Sequence, residues 1–418
     1  MPTDTRTHAP KPFSEPGTER FDEALDQTYQ GVRGALTEVL ISAKADPSRP
    51  QDIARRFGIN KNLAWKISKI IAVPEPHSMI SNLPGDTGMD RILSAFETGG
   101  ASKESVHAAR QAIAKFDRMV EMHVDDRSTL QLVLSSNAPH KVPQEHLHAT
   151  RKMAFQGNSA IWGVQARVRM ASFFLAPNAA DPTRLDTASI GGLIDVRRLR
   201  ADVSVPLFMR FAYNDDGSVR TDTKIEPICT SGEANNPLML MQDFCSSPNP
   251  PFQPMTRGDA TRYLLSPGPI GNYGRQTWVF GELVRDFASI YADEHNRVGE
   301  HAVPIQLPTE WLVCDLQVHR DLEFAMAPRP LVYSLVGTQL GPAEDSEYDR
   351  LPIAEEIQST GHAPPALATP LMPEYPKIVD RVYKRLDWNP RDFHGFRFVM
   401  RYPPMPCSVV IQHDLATR

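Results

Sequence analysis

Between Arg49 and Ile71, six basic residues (Arg49, Arg55, Arg56, Lys61, Lys66 and Lys69) are set against a single acid, Asp52, for a local balance of +5, with Asn60 and Asn62 among them. Lysine and arginine neutralise phosphates, and an asparagine amide matches the donor and acceptor on the major-groove edge of adenine. That is the chemistry of contact with double-stranded DNA. Four other groupings contain reactive types. Glu145-His146-Leu147-His148, with His140 upstream, gathers imidazoles and a carboxylate. Asp315 and His319 could orient a base, Arg167, Arg169, Arg397 and Arg401 could bind an anion, and Gly268, Gly271 and Gly274 with Arg275 approach a phosphate loop.

The basic cluster needs two short helices to position it. One is expected from Gln51 to Phe57, and Gly58 follows where a tight turn requires positive φ. Asn60 is a good N-cap for a second helix from Lys61 to about Ile71. Ile53, Phe57, Ile59, Leu63, Ile67 and Ile70 can then share one small core, and Ala54 is small where the helices cross. Asn60, Lys61, Asn62, Lys66 and Lys69 remain outward, with Arg55 and Arg56 on the first helix. This stretch resembles the helix-turn-helix of bacterial transcriptional regulators, with Ala54, Gly58, Ile59 and Ile67 at the usual structural positions. Ala64 departs from that pattern, where a larger β-branched residue is commoner. Trp65 departs too, falling on the face that should meet DNA. The resemblance implies a DNA interface of Arg55, Arg56, Asn60, Lys61, Asn62, Trp65, Lys66 and Lys69. It covers residues 50–71 alone, and no family is recognised over the rest.

The remaining clusters read as structure. The Glu145–His148 stretch lacks a zinc spacing such as His-Glu-x-x-His and is expected to be a polar hinge. Asp293-Glu294-His295 and Glu300-His301 read the same way. Asp315 and His319 share a strand face across Gln317, but no Gly-x-Ser-x-Gly elbow accompanies them, and Ser159 is not in that context. The glycine run lacks the Gly-Lys-Ser/Thr of a P-loop and reads as a turn between strands. The arginines are expected either to pair with acids or to present a small-anion surface. No catalytic residue, metal or cofactor is assigned.

A chain of 418 residues exceeds a single ordinary core, and 41% hydrophobic with 23% charged residues is the composition of a globular protein. A net charge of −5 argues against a general nucleic-acid coat protein, because the rest of the molecule repels the DNA backbone. Cys229, Cys245, Cys314 and Cys407 form no Cys-x-x-Cys, so neither a disulfide framework nor a zinc knuckle is expected. Met1–Gly17 lacks a signal-peptide core and no apolar run approaches 18 residues, so a cytoplasmic protein without membrane contact is expected.

Residues 1–18 read as a disordered tail, and residues 19–150 as a helical domain. Its first helix carries the stripe Phe21, Leu25, Thr28, Val32, Leu36, Val39 and Ala43. A short helix is expected at Met89–Thr98. Another, at 103–123, carries Val106, Ala109, Ile113, Phe116 and Val120; that stripe either buries in its own domain or forms a dimerisation seam. From Trp162 onward period-two alternation appears, at Trp162–Met170, Val203–Phe211, Leu312–His319 and Phe396–Tyr402, with a helix at Tyr375–Leu386. One wet face and antiparallel pairing are expected. The fold class is α+β: an all-helical N-terminal domain with a helix-turn-helix, then a larger, sheet-rich, mostly antiparallel α+β domain over 151–418. The functional expectation is a sequence-specific DNA-binding transcriptional regulator, a homodimer whose large domain senses a ligand or oligomerises. The alternatives are an enzyme acting through the large domain, or a protein-binding scaffold.

Overall fold

Leu25, Thr28, Val32, Leu36 and Val39 recur every three or four residues, so a helix places them on one stripe, and all are buried. The computed structural model describes residues 21–74, 76, 82–137, 144–209, 225–229, 238–247, 251–257, 260–294, 296–336 and 349–418. The expected tail at 1–18 lies outside these residues, as do His140, His295 and the side chains of Glu145 and His146. The protein is α+β, in two compact units, residues 1–143 and 144–418.

Among the described residues the first unit is built of helices: α1 (Phe21–Ser42), α2 (Pro50–Phe57), α3 (Lys61–Ala72), α4 (Asp86–Thr98), α5 (Lys103–Val124) and α6 (Arg127–Asn137). The α1 stripe packs along α5, whose Val106, Ala109, Phe116, Met119 and Val120 are buried in the same core. The α5 stripe therefore packs into the core of its own unit, with Ile113 partly buried against it. Each such large side chain contributes about 1.5–3 kcal/mol by leaving water. Phe57 meets Phe96 edge to face at 4.8 Å, which ties α2 to α4.

The second unit opens with α7 (Gln144–Trp162), where a hinge was expected. Trp162 is its last residue and not the start of a strand. Strands β1 (Val164–Pro177), β2 (Leu185–Arg198), β4 (Ile225–Pro227), β7 (Gln276–Val284), β9 (Thr309–His319), β11 (Gln358–His362) and β12 (Phe393–Arg401) form one seven-stranded sheet, in the order β11-β12-β9-β1-β2-β7-β4. Pairing is antiparallel except at the centre, where β1 runs parallel to β9.

Two layers cover this sheet. On one face Val168, Met170 and Phe174 of β1 and Val313 of β9 cluster with Tyr375, Ile378, Val379 and Val382 of α8 (Tyr375–Leu386). On the other, Leu312, Cys314, Leu316 and Val318 of β9 and Phe396, Phe398 and Met400 of β12 meet a three-stranded sheet. That sheet pairs β10 (Arg329–Ser334), β13 (Cys407–Asp414) and β8 (Val298–Ile305). A third sheet joins β3 (Val205–Met209), β6 (Ala260–Leu265) and β5 (Phe252–Arg257). The wet face expected for β9 does not exist, because Asp315 and Gln317 are fully buried. Alternation there separates two interior environments, one of them polar.

Candidate functional site

Pro50 starts α2, where its missing N–H costs nothing. Gly58 ends the helix at φ 63°, a conformation that strains any residue with a Cβ. Two residues on, the Asn60 Oδ1 accepts a hydrogen bond from the Asn62 backbone N–H at 2.8 Å and starts α3. Ala64, Ile67 and Ile70 turn inward. The far end of α3 is gripped by α1. Arg33 Nε donates to the Ile71 carbonyl at 2.8 Å, Gln30 Nε2 to Pro74 at 3.1 Å, and the Tyr29 hydroxyl to Val73. A cation there also suits the negative end of the helix dipole.

These contacts hold α3 with Lys61, Asn62 and Trp65 exposed and Lys66 and Lys69 half-buried. Trp65 is 52% exposed, and Lys69 Nζ sits 4.7 Å from its ring centre. Among the described residues Lys61, Lys66 and Lys69 have no ion-pair partner. The two arginines of α2 are already engaged. Arg55 lies 3.7 Å from Asp52, while Arg56 donates to the Lys44 carbonyl at 2.7 Å and covers the Phe57 ring. The free cations thus belong to α3, and Asn60 spends its oxygen on the cap.

In the second unit β9 and β12 pair so that Asp315 lies opposite Arg397. Arg397 Nε and Nη2 reach the two carboxylate oxygens at 2.8 Å each. The Tyr375 hydroxyl donates to Asp315 Oδ2 at 2.7 Å and lies 2.7 Å from Ser172 Oγ. Burial, then the adjacent carboxylate, pushes the Tyr375 phenol well above its usual range, so it stays a donor. Burial works against the Arg397 cation, but hydrogen bonds and charge from Asp315 outweigh it and raise its pKa. The carboxylate is saturated, so the cluster locks the first residue of α8 to β1, β9 and β12. His319 shares that strand but leans on Phe393 and Asp321, so no Asp315–His319 dyad forms.

The other arginines do not gather into an anion surface. Arg167 pairs with Asp195 at 2.8 Å, and Arg401 with Glu310 at 3.3 Å while stacking over Trp311. Arg169 donates to the Met170 carbonyl at 2.7 Å, and burial pulls its pKa down to about 10. The His148 ring packs on Tyr402, and the glycine run forms a short 3-10 turn at Gly271–Gly274 between β6 and β7. The four thiols are free, and burial pushes Cys407 up to about 12. Among the described residues no group of three or more His, Cys, Asp or Glu side chains could hold a metal, and no helix is long and apolar enough to cross a membrane.

Sequence reasoning missed Tyr375 as a partner of Asp315 and Ser172 as a partner of Tyr375, and missed a paired His362 and His394 at the sheet edge. Each grouping joins residues from separate strands or helices, so pairing register is the signal that finds them. The chain matches no protein-family model and no curated protein.

Proposed function

We propose that residues 50–71 are a helix-turn-helix that reads double-stranded DNA, and that the chain is a sequence-specific transcriptional regulator. The observation that carries this reading is the free, one-signed face of α3, where Lys61, Asn62 and Trp65 are exposed and the three lysines have no acid partner among the described residues. Lys61, Lys66 and Lys69 neutralise phosphates in this scheme. Asn62 keeps both amide groups for an adenine edge, whereas Asn60 has committed its oxygen to the cap. Trp65 offers a flat apolar surface to a sugar or a thymine methyl. A homodimer would present two such faces to half-sites about one DNA turn apart. The role of the second unit as sensor or oligomerisation domain follows how such regulators are usually built.

The test is selection from a genomic DNA library at near-physiological salt. One enriched sequence is expected, with binding lost in Lys61→Ala/Lys66→Ala protein. No enriched sequence, or equal binding by that variant, would sink the reading. With the three lysines of each protomer of a homodimer on phosphates, the logarithm of the association constant should fall against log salt with a slope of about −5.

A further inference from the structure

Strand β11 is the edge of the seven-stranded sheet, and its pairing with β12 contains one extra residue. Ser359 lies opposite Phe396, while Gly361 and His362 lie opposite Gly395 and His394. Thr360 is therefore the inserted position of a bulge, and Gly361 takes φ 86° to pass it. In an unbroken strand residues three apart point to opposite faces. The bulge instead turns Ser359 and His362 toward the same imidazole. Ser359 Oγ lies 2.9 Å from His394 Nε2, and the His362 and His394 ring centres are 5.5 Å apart. The His394 ring lies parallel on Phe396 at 4.7 Å.

We propose that His362 and His394 chelate a divalent late transition metal ion, with Zn²⁺ the natural probe. The spacing is what carries this. A zinc–nitrogen bond is about 2.0–2.1 Å and a ring centre lies about 1.2 Å behind its nitrogen, so two imidazoles at a tetrahedral angle have centres about 5 Å apart. The observed separation needs only a turn of the exposed His362 side chain, since directly opposed residues already hold the two backbones together. In the tautomer whose Nε2–H donates to Ser359 Oγ, Nδ1 is the ligating nitrogen, and Ser359 takes the role of a hydrogen-bonded partner that orients a metal-binding imidazole. Two imidazoles suit Zn²⁺, Ni²⁺ or Cu²⁺ over Mg²⁺ or Ca²⁺. The remaining coordination positions face solvent beside Ser359 and His362, both exposed, and are open to water or an incoming anion.

The experiment is calorimetric titration of untagged, full-length protein with Zn²⁺ near pH 7.5, with Mg²⁺ as the control ion. One Zn²⁺ per chain is expected, with affinity falling at least about tenfold in His362→Gln and about tenfold in Ser359→Ala. His362 is exposed, so its replacement leaves the fold intact, which a thermal melt checks. His107→Ala, an exposed histidine of the first unit, should leave the affinity unchanged. Cu²⁺-loaded protein should show two imidazole nitrogens by electron spin-echo spectroscopy, and one in His362→Gln. Absence of Zn²⁺ binding, or binding unaltered in His362→Gln, overturns the proposal.

Discussion

Trp65 beneath Lys69 and Arg397 over the Tyr375 ring are both aromatic-cation partners, yet they answer to opposite pressures. Trp65 lies open with Lys69 over its ring, so Trp65→Ala should change stability by no more than about 0.5 kcal/mol. In the proposed DNA reading the same change weakens binding to the selected sequence by about tenfold, a loss of about 1.4 kcal/mol, measurable by fluorescence anisotropy with labelled duplex. A full-affinity variant would remove Trp65 from the interface. Arg397 is the reverse case. Its loss in Arg397→Met strands the fully buried Asp315 carboxylate and should cost about 3–5 kcal/mol. Adding Asp315→Leu should recover much of that, because the uncompensated charge then disappears. Urea denaturation of the two variants decides; equal destabilisation would mean the ion pair itself, not the stranded charge, sets the cost.

Turns, caps and bulges set where the side chains point. Gly58→Ala places a Cβ at φ 63° and should destabilise the first unit by about 1–2 kcal/mol. Asn60→Ala removes the α3 cap and should cost about 1 kcal/mol; a shift in the thermal midpoint checks both, and unchanged midpoints would mean that α3 is held by α1 alone. These local devices were legible because Gly and Asn act on their own neighbours, so the helices expected at Gln51–Phe57 and Lys61–Ile71 could be read to within a residue, and the helix at Tyr375–Leu386 through the spacing of its apolar residues. Trp162 misled because its alternation with Val164 continues across a helix end. Asp315 misled more deeply. Its polar face looks wet from local alternation, and only the pairing of β9 with β12 reveals the cation that dries it. The proposed His362–His394 site is illegible for the same reason, with a bulge added, since an inserted residue reverses which side chains share a face.

The whole molecule carries a net charge of −5 around a +5 island, so the proposed DNA contact depends on local cations and not on overall attraction. Its acid response has a different origin. His301 and His413 stack at 5.3 Å between the rings of Phe173 and Phe324, with Arg329 and Asp414 at the end of the stack. Burial, then His413, holds His301 at about 3, and burial lowers His413 too. Both folded values lie below the ordinary value of about 6.5. Their contribution is therefore complete above about pH 6.5 and is lost as pH falls from there toward 3. The urea midpoint of the second unit should be level near pH 7.5 and lower at pH 5, with a smaller drop in His301→Phe. An equal drop in that variant would assign the acid response to other groups. The parallel pair at the centre of the large sheet has a consequence in time. Ala166 is joined to Thr309, roughly 140 residues further along, so the middle of the sheet closes only after most of the chain between them has been made. The two halves of that sheet wait for each other while the first unit, whose contacts are nearer neighbours, is free to complete itself during synthesis.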